Sequence, residues 1–165
     1  MEQERLTLIS PNGAIDGMYT NAGEGTPLVI IANGHNGFFH YGMFPYIRKS
    51  LAEAGISTIG FNYSHSGIIG DAAVFEDLDR YEKNCRRLEK EDLLFVLEET
   101  VEPMFENHSE RYILAHSMGG IATVFAANEA QGKFYAPNGI ILLCSLSTLN
   151  VRKPEILEVW KENRV

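Results

Sequence analysis

Short, continuously apolar runs alternate along the chain with longer segments in which apolar and polar residues are mixed. The runs that predict central strands lie at residues 28–32, 57–62, 112–115 and 139–144. Apolar runs of this length, bounded by turn residues, are typical of strands buried on both faces of a parallel sheet. Two earlier runs, at 6–9 and 14–20, flank a turn sequence and predict an N-terminal hairpin at the sheet edge.

The mixed segments have the spacing of amphipathic helices and predict helices at 44–54, 81–100, 121–127 and 154–163. In the first helix, the residues expected to pack are Tyr46, Ile47, Leu51 and Ala54, and those expected in solvent are Arg48, Lys49 and Glu53. In the second, we expect Leu94, Leu97 and Val101 to form a buried stripe and the many charges to form a solvated face.

This order of elements specifies the fold class. Two edge strands precede a β-α-β-α-β-α-β alternation, which predicts a single α/β domain over residues 1–165. Its expected architecture is a three-layer sandwich, with a mostly parallel sheet and helices on both faces. Sites in such sheets lie at the carboxyl ends of the strands. Three loops fall there, at 33–39, 63–71 and 116–120, and they are dense in Gly, His, Ser and Asn.

The segment 111–120 carries the clearest candidate chemistry. An apolar strand meets Ser117, and Gly119 and Gly120 open the helix that follows. A strand-to-helix turn this sharp strains the serine backbone and brings strand and helix together, so small neighbours are needed. The pattern predicts an exposed nucleophile at the turn, with Ala115 where the usual motif has its first glycine.

Composition narrows the class of partner. The formal charge of −8 disfavours nucleic acid and anionic membranes, and the apolar runs are too short to span a bilayer. The N-terminus lacks the apolar stretch of a signal peptide, and Cys85 and Cys144 form no disulfide framework. These features favour a cytoplasmic protein. The chain has no G-x-G-x-x-G or metal-ligand spacing, so we expect no cofactor and no metal.

Three segments together resemble the α/β-hydrolases, and more narrowly the dienelactone-hydrolase-like and serine-aminopeptidase-like branch. Residues 33–38 (Asn-Gly-His-Asn-Gly-Phe) lie where that branch has H-G-x-x-G. Residues 61–67 (Phe-Asn-Tyr-Ser-His-Ser-Gly) are similar to its F-N-F-S-x-x-G strand end, and residues 115–120 match its nucleophile elbow. The resemblance extends from about residue 28 to residue 160.

The resemblance implies a serine hydrolase acting on carboxylic ester or related acyl substrates through an acyl-enzyme. Ser117 would be the nucleophile, and the backbone N–H groups of Met118 and His35 would form the oxyanion hole. The residues expected to line the substrate site are Asn33, Gly34, Phe38, His65 and His116. Asn33 replaces the histidine of the branch and could shape the loop through its side-chain amide.

One departure from the resemblance concerns the rest of the catalytic triad. In the family the acid and the histidine follow the serine, but no histidine follows Ser117 and residues 144–150 contain no carboxylate. We therefore expect residues 145–165 to begin a lid region and the domain to be C-terminally incomplete. The alternative is a catalytically inactive domain that binds a ligand or another protein.

Histidines that precede Ser117 in the sequence are alternative candidates for the missing base. His35 and His65 could approach the serine, whereas His116 is expected to face away because neighbouring strand residues alternate in direction. His40 and His108 are expected at the surface. Asp71 is expected to cap its loop or contact substrate.

The apolar strand at 139–144 would be the edge of the sheet in this chain, with no proline or lysine to protect it. We therefore expect a homo-oligomer built around residues 139–160, with Leu157 and Trp160 covering part of the apolar surface.

Overall fold

A computed structural model describes residues 2–70, 72–105, 108–148, 154, 155 and 158. Its strands are β1 (Glu2–Ser10), β2 (Gly13–Asn21), β3 (Leu28–Ala32), β4 (Ser57–Phe61), β5 (Arg111–His116) and β6 (Gly139–Leu143). Its helices are α1 (Phe44–Glu53), α2 (Leu78–Tyr81), α3 (Arg86–Glu99) and α4 (Gly119–Glu129). Asp71, Leu157 and Trp160 lie outside the described residues, so the expectations placed on them stay predictions.

The strands form one mixed sheet in the order β1-β2-β4-β3-β5-β6. The pairs β1–β2 and β2–β4 are antiparallel, and the pairs β4–β3, β3–β5 and β5–β6 are parallel. Helices α3 and α4 pack on one face of the sheet and α1 packs on the other. The predicted fold class, a mostly parallel α/β sheet with helices on both faces, is confirmed.

Strand β3 shows why the central strands are continuously apolar. Leu28, Ile30 and Ala32 pack into the core on the α3–α4 face, and Val29 and Ile31 pack into the core beneath α1. Successive side chains of a strand point to opposite faces, and both faces are covered here, so no position remains for a polar residue.

Helix α1 departs from the sequence expectation. Arg48 is only 4% exposed, whereas Tyr46 is 74% exposed and Ala54 is also exposed, so the assignments of these three residues were wrong. The aliphatic stem of Arg48 lies against Gly60, and its guanidinium carbon is 5.4 Å from the centre of the Phe39 ring. Burial lowers the pKa of Arg48. An arginine can pack through its methylene groups, which a polar–apolar pattern does not register.

Helix α3 also differs, because it begins at Arg86 and its buried stripe is displaced from the predicted one. Leu97 is buried as expected, but Leu94 and Val101 are only half-buried. The prediction of a wholly solvated charged face is wrong, since Glu89 and Asp92 are buried. Polar groups from distant segments meet Asp92, whereas the partners of Glu89, Asn84 and Arg86, lie close to it in the sequence.

Strand β6 forms one edge of the sheet and pairs only with β5 among the described residues. Ile140, Ile141 and Leu142 are between 39% and 46% exposed. The predicted edge is therefore present. None of the helices in the described ranges has the length and apolar character needed to cross a membrane.

Candidate active site

Ser117 lies at the turn between β5 and α4, at the carboxyl edge of the sheet. Its φ of 52° is positive, a region that non-glycine residues rarely adopt and that stores backbone strain. Its N–H donates to the carbonyl of Leu143 at 3.0 Å, and its carbonyl accepts from the N–H of Gly120 at 3.2 Å. The end of β6 and the first turn of α4 thus hold the serine in its strained conformation.

Glycines are required around Ser117 because backbones approach each other directly. A Cβ on Gly119 would lie 2.7 Å from the Ala32 carbonyl oxygen, and closer still to that of Asn33. A Cβ on Gly34 would lie 2.9 Å from the Cβ of Ser117. The loop after β3 is therefore pressed against the serine, a contact that the sequence analysis did not predict.

The loop after β3 is fixed by the side chain of Asn33, which is buried. Its Nδ2 donates to the Phe61 carbonyl at 2.5 Å and so joins the end of β3 to the end of β4. The loop then turns back on itself, since the Gly37 N–H donates to the Gly34 carbonyl at 3.0 Å. Asn33 thus shapes the loop through its amide. Phe38 is also buried, which leaves His35 and Asn36 as the exposed side chains of the loop.

Three histidines lie near this edge in different environments. His116 faces the α1 layer, where its ring meets that of Phe44 at 5.9 Å. The half-buried His65 has its Nδ1 2.9 Å from the hydroxyl of Ser64. The ring of His35 lies 6.4 Å from that of Tyr81. Within the described ranges, none of these rings is hydrogen-bonded to the Ser117 hydroxyl.

The two histidines predicted at the surface are not fully exposed. His108 is 6% exposed; its Nε2 lies 2.8 Å from the Tyr19 hydroxyl and its Nδ1 lies 2.8 Å from the Thr26 carbonyl. Burial lowers the pKa of His108. His40 is half-buried with its ring 3.9 Å from that of Phe39. The surface assignment of His108 was wrong, because partners remote in sequence cover its ring, and His40 is half-buried rather than fully exposed.

An ion pair that the sequence analysis missed lies beside the serine turn. Arg86 pairs with the buried Glu89, and its Nη2 is 3.6 Å from the Met118 sulfur. The Asn84 amide also donates to Glu89, at 3.0 Å. Burial raises the pKa of Glu89, and Arg86 opposes that rise.

Tyr63 is buried near the same carboxylates. Its pKa is well above the usual value because of burial and the nearby charges of Glu89 and Asp92.

Asp92, also missed, organises the loop after β4. Its carboxylate accepts from the Ser64 N–H at 2.8 Å, from the Asn12 amide at 3.2 Å and from the Ser10 hydroxyl at 3.3 Å. Asp92 is four residues from both Leu88 and Val96, which are buried on the same helix. That spacing was the available signal that this carboxylate points inward.

An open apolar groove of about 370 Å³ runs along α4 next to the serine turn. Its wall includes Gly120, Phe125, Leu142 and Leu146. In the part of the chain that the structure describes, no group of three or more His, Cys, Asp or Glu side chains is placed to hold a metal ion.

No protein-family model matches the sequence, and no curated protein is similar to it. Solved structures do resemble the fold. A putative hydrolase from Agrobacterium vitis is 17% identical, with a TM-score of 0.75. The aligned region covers 99% of this chain and 62% of that protein. An α/β-hydrolase from a Penicillium species is 20% identical, with coverages of 99% and 54% and a TM-score of 0.71.

A dienelactone hydrolase from Anabaena variabilis is 15% identical, with coverages of 86% and 62% and a TM-score of 0.70. The chain therefore spans 54% to 62% of the length of these three structures. The strand order, the strained serine and these similarities agree, and the chain has an α/β-hydrolase-like fold.

Proposed function

We propose that this chain carries the nucleophile and the oxyanion-binding loop of a serine hydrolase that acts on carboxylic ester or related acyl substrates. The observation that carries the proposal is Ser117 at φ 52°, at a strand-to-helix turn against which Gly34 is pressed. Structures of similar fold include a dienelactone hydrolase and a cold-adapted esterase from an Arctic intertidal metagenomic library, which supports this reaction class.

In the proposed reaction the Ser117 hydroxyl oxygen attacks the acyl carbon while its proton passes to a base. The carbonyl oxygen becomes an oxyanion, which accepts hydrogen bonds from the backbone N–H groups of Met118 and His35. Each such donor contributes about 3 to 4 kcal/mol in the transition state. Collapse of the intermediate expels the alcohol, which takes a proton, and leaves an acyl-enzyme. Water then attacks the acyl carbon and releases the acid and the free serine.

The residues expected at the substrate site form two groups, one buried and one partly exposed. Asn33 and Phe38 are buried, so they act by holding the loop in shape. Gly34 allows close approach to Ser117, and the half-buried His65 and His116 have rings partly available to a ligand. We further propose a cytoplasmic location, which the two free cysteines, both exposed, favour.

Among the described residues, no histidine ring is hydrogen-bonded to the Ser117 hydroxyl, so the proposed reaction still needs a base. No histidine follows Ser117 in the sequence. A serine hydroxyl without an adjacent base is a weak nucleophile. We therefore expect negligible hydrolysis of p-nitrophenyl acetate by the chain alone, with little further loss in Ser117→Ala.

Added imidazole tests the proposal because it can replace an absent histidine from solution. The initial rate of p-nitrophenyl acetate hydrolysis should rise with imidazole concentration above the rate of imidazole alone. That excess should vanish in Ser117→Ala and persist in Cys144→Ser, a control that removes the neighbouring thiol. A catalytically inactive binding domain, the alternative, would show no excess in any variant and would overturn the proposal.

A further inference from the structure

The exposed tip of the loop after β3 is held by a residue that the proposed reaction does not use. The hydroxyl of Tyr81, the last residue of α2, donates a hydrogen bond to Oδ1 of Asn36. The two residues are 45 positions apart, so this contact joins separate segments of the chain. Asn36 directly follows His35, whose backbone N–H is the proposed oxyanion donor. Tyr81 therefore acts on the loop one residue away from that donor.

The backbone of Asn36 is strained. Its φ of 57° lies in the left-handed region, which asparagine adopts more readily than most residues but which still needs support from its surroundings. His35 and Asn36 are the two central residues of a turn that the Gly37 N–H closes by donating to the Gly34 carbonyl at 3.0 Å. The direction of the His35 N–H therefore depends on the conformation that Asn36 keeps.

The Tyr81 side chain is itself held in place. Its ring centre lies 4.8 Å from that of Phe75 and 6.4 Å from that of His35. A Cβ on Gly67 would lie 2.8 Å from the Cβ of Tyr81, so α2 is pressed against the loop after β4. The Gly67 carbonyl also accepts from the N–H of Asp77, the N-cap residue of α2, at 3.1 Å. A residue fixed in this way can fix the loop that it contacts.

We propose that Tyr81 is a positioning residue, which holds Asn36 through its hydroxyl and so orients the His35 N–H toward the oxyanion. The inference rests on the proposed function, because it concerns the second donor of that oxyanion hole. Such a donor is effective only when it lies about 2.7 to 3.1 Å from the oxyanion, so a displaced loop tip weakens it even though the N–H is still present.

Tyr81→Phe tests the role because it removes the hydroxyl and keeps the ring contacts. With a fluorophosphonate probe and added imidazole, the maximal rate of Ser117 phosphonylation should fall about tenfold, less than the 10²- to 10³-fold cost of removing a whole donor. The probe concentration that gives the half-maximal rate and the urea midpoint of unfolding should stay close to the original values. A purely structural role would instead lower the urea midpoint and leave the maximal rate unchanged, which would overturn the proposal.

Tyr41→Phe is the matched control, because this tyrosine also packs on the loop, with its ring centre 5.0 Å from that of Phe38. It should react at the original rate. Asn36→Gly removes the acceptor of the Tyr81 hydroxyl and still permits a positive φ, so it should be slowed as Tyr81→Phe is. The double variant should be no slower than either single variant, since both remove the same contact. Losses that multiply in the double variant would contradict the proposal.

Hydrogen–deuterium exchange measures the loop without depending on the reaction. The amides of residues 34–38 should exchange faster in Tyr81→Phe than in the original chain or in Tyr41→Phe. Unchanged exchange would overturn the proposal, as would faster exchange combined with an unchanged rate of phosphonylation. The absence of an adduct on Ser117 in the original chain would instead overturn the proposed function, and the exchange rates would then show whether Tyr81 holds the loop.

Discussion

Both ends of the central strands carry histidine and hydroxyl side chains, yet the two ends are built differently. At the carboxyl end, Ser117 has strained backbone and glycines allow main chains to touch. At the amino end of β3, His108 is buried and both of its ring nitrogens lie within hydrogen-bond distance of a partner, Tyr19 or Thr26. One end has partly accessible side chains held on a rigid backbone; the other has a closed polar cluster within the core.

This difference shows how to distinguish polar residues that could take part in catalysis from polar residues that only stabilise the fold. Both nitrogens of His108 are already engaged, so its ring cannot exchange a proton with a substrate without breaking a buried contact. His65 and His116 are half-buried and keep ring surface open to the loops at the carboxyl edge. Burial and hydrogen bonding, rather than residue type, therefore distinguish the two ends.

The largest expected effect comes from Gly119→Ala, which tests whether the carboxyl end depends on backbone contact. The new Cβ would lie 2.7 Å from the Ala32 carbonyl oxygen, and backbone at the end of a buried strand cannot move aside. We expect the free energy of unfolding, measured in urea, to fall by about 3 kcal/mol or more.

Gly55→Ala is the control for Gly119→Ala. Gly55 has a φ of 79° but nothing within 4 Å of a Cβ, so alanine there costs only the left-handed conformation, about 1 to 2 kcal/mol. Equal losses in the two variants would mean that the close approach at Gly119 does not control stability.

A smaller effect is expected in how the free energy of unfolding depends on pH. It comes from His108, which contacts Tyr19 and Thr26 at the amino end of β3. Burial lowers the pKa of His108 below its usual value near 6.5, so the unfolded chain binds its proton more readily than the folded one. The stability that the neutral ring contributes is therefore present above pH 6.5 and is lost as the pH falls below it.

His108→Gln should remove this dependence. Urea unfolding between pH 8 and pH 5 should show the original chain losing more stability than His108→Gln. The difference between the two proteins isolates the histidine from Glu89, whose pKa is raised and whose contribution has the opposite sign. Parallel pH profiles would show that His108 titrates in the folded state as it does in the unfolded state.

The sequence predicted the strands and the serine turn because each requirement restricts the residue type at its own position. A strand buried on both faces must be apolar at every position, as β3 is, and a backbone-to-backbone contact must be glycine, as at Gly119. Both requirements are therefore visible in the residue types of the segments themselves.

The buried polar groups could not be predicted in the same way, because their partners are distant. The Ser10 hydroxyl that donates to Asp92 is 82 positions away, and the Tyr19 hydroxyl beside His108 is 89 positions away. Arg48 was misassigned because its burial depends on Gly60, which leaves room for the arginine stem on a neighbouring strand. Only the three-dimensional arrangement brings these groups together.

We propose that Ser117 is the residue that accepts the acyl group, although no histidine ring among the described residues is hydrogen-bonded to it. Reaction with a fluorophosphonate probe, with and without imidazole, followed by intact mass and peptide mapping, tests this role. We expect one adduct per chain, on Ser117, formed faster with imidazole and missing from Ser117→Ala. No adduct on Ser117 even with imidazole, or equal modification of other serines, would show that Ser117 is not the nucleophile.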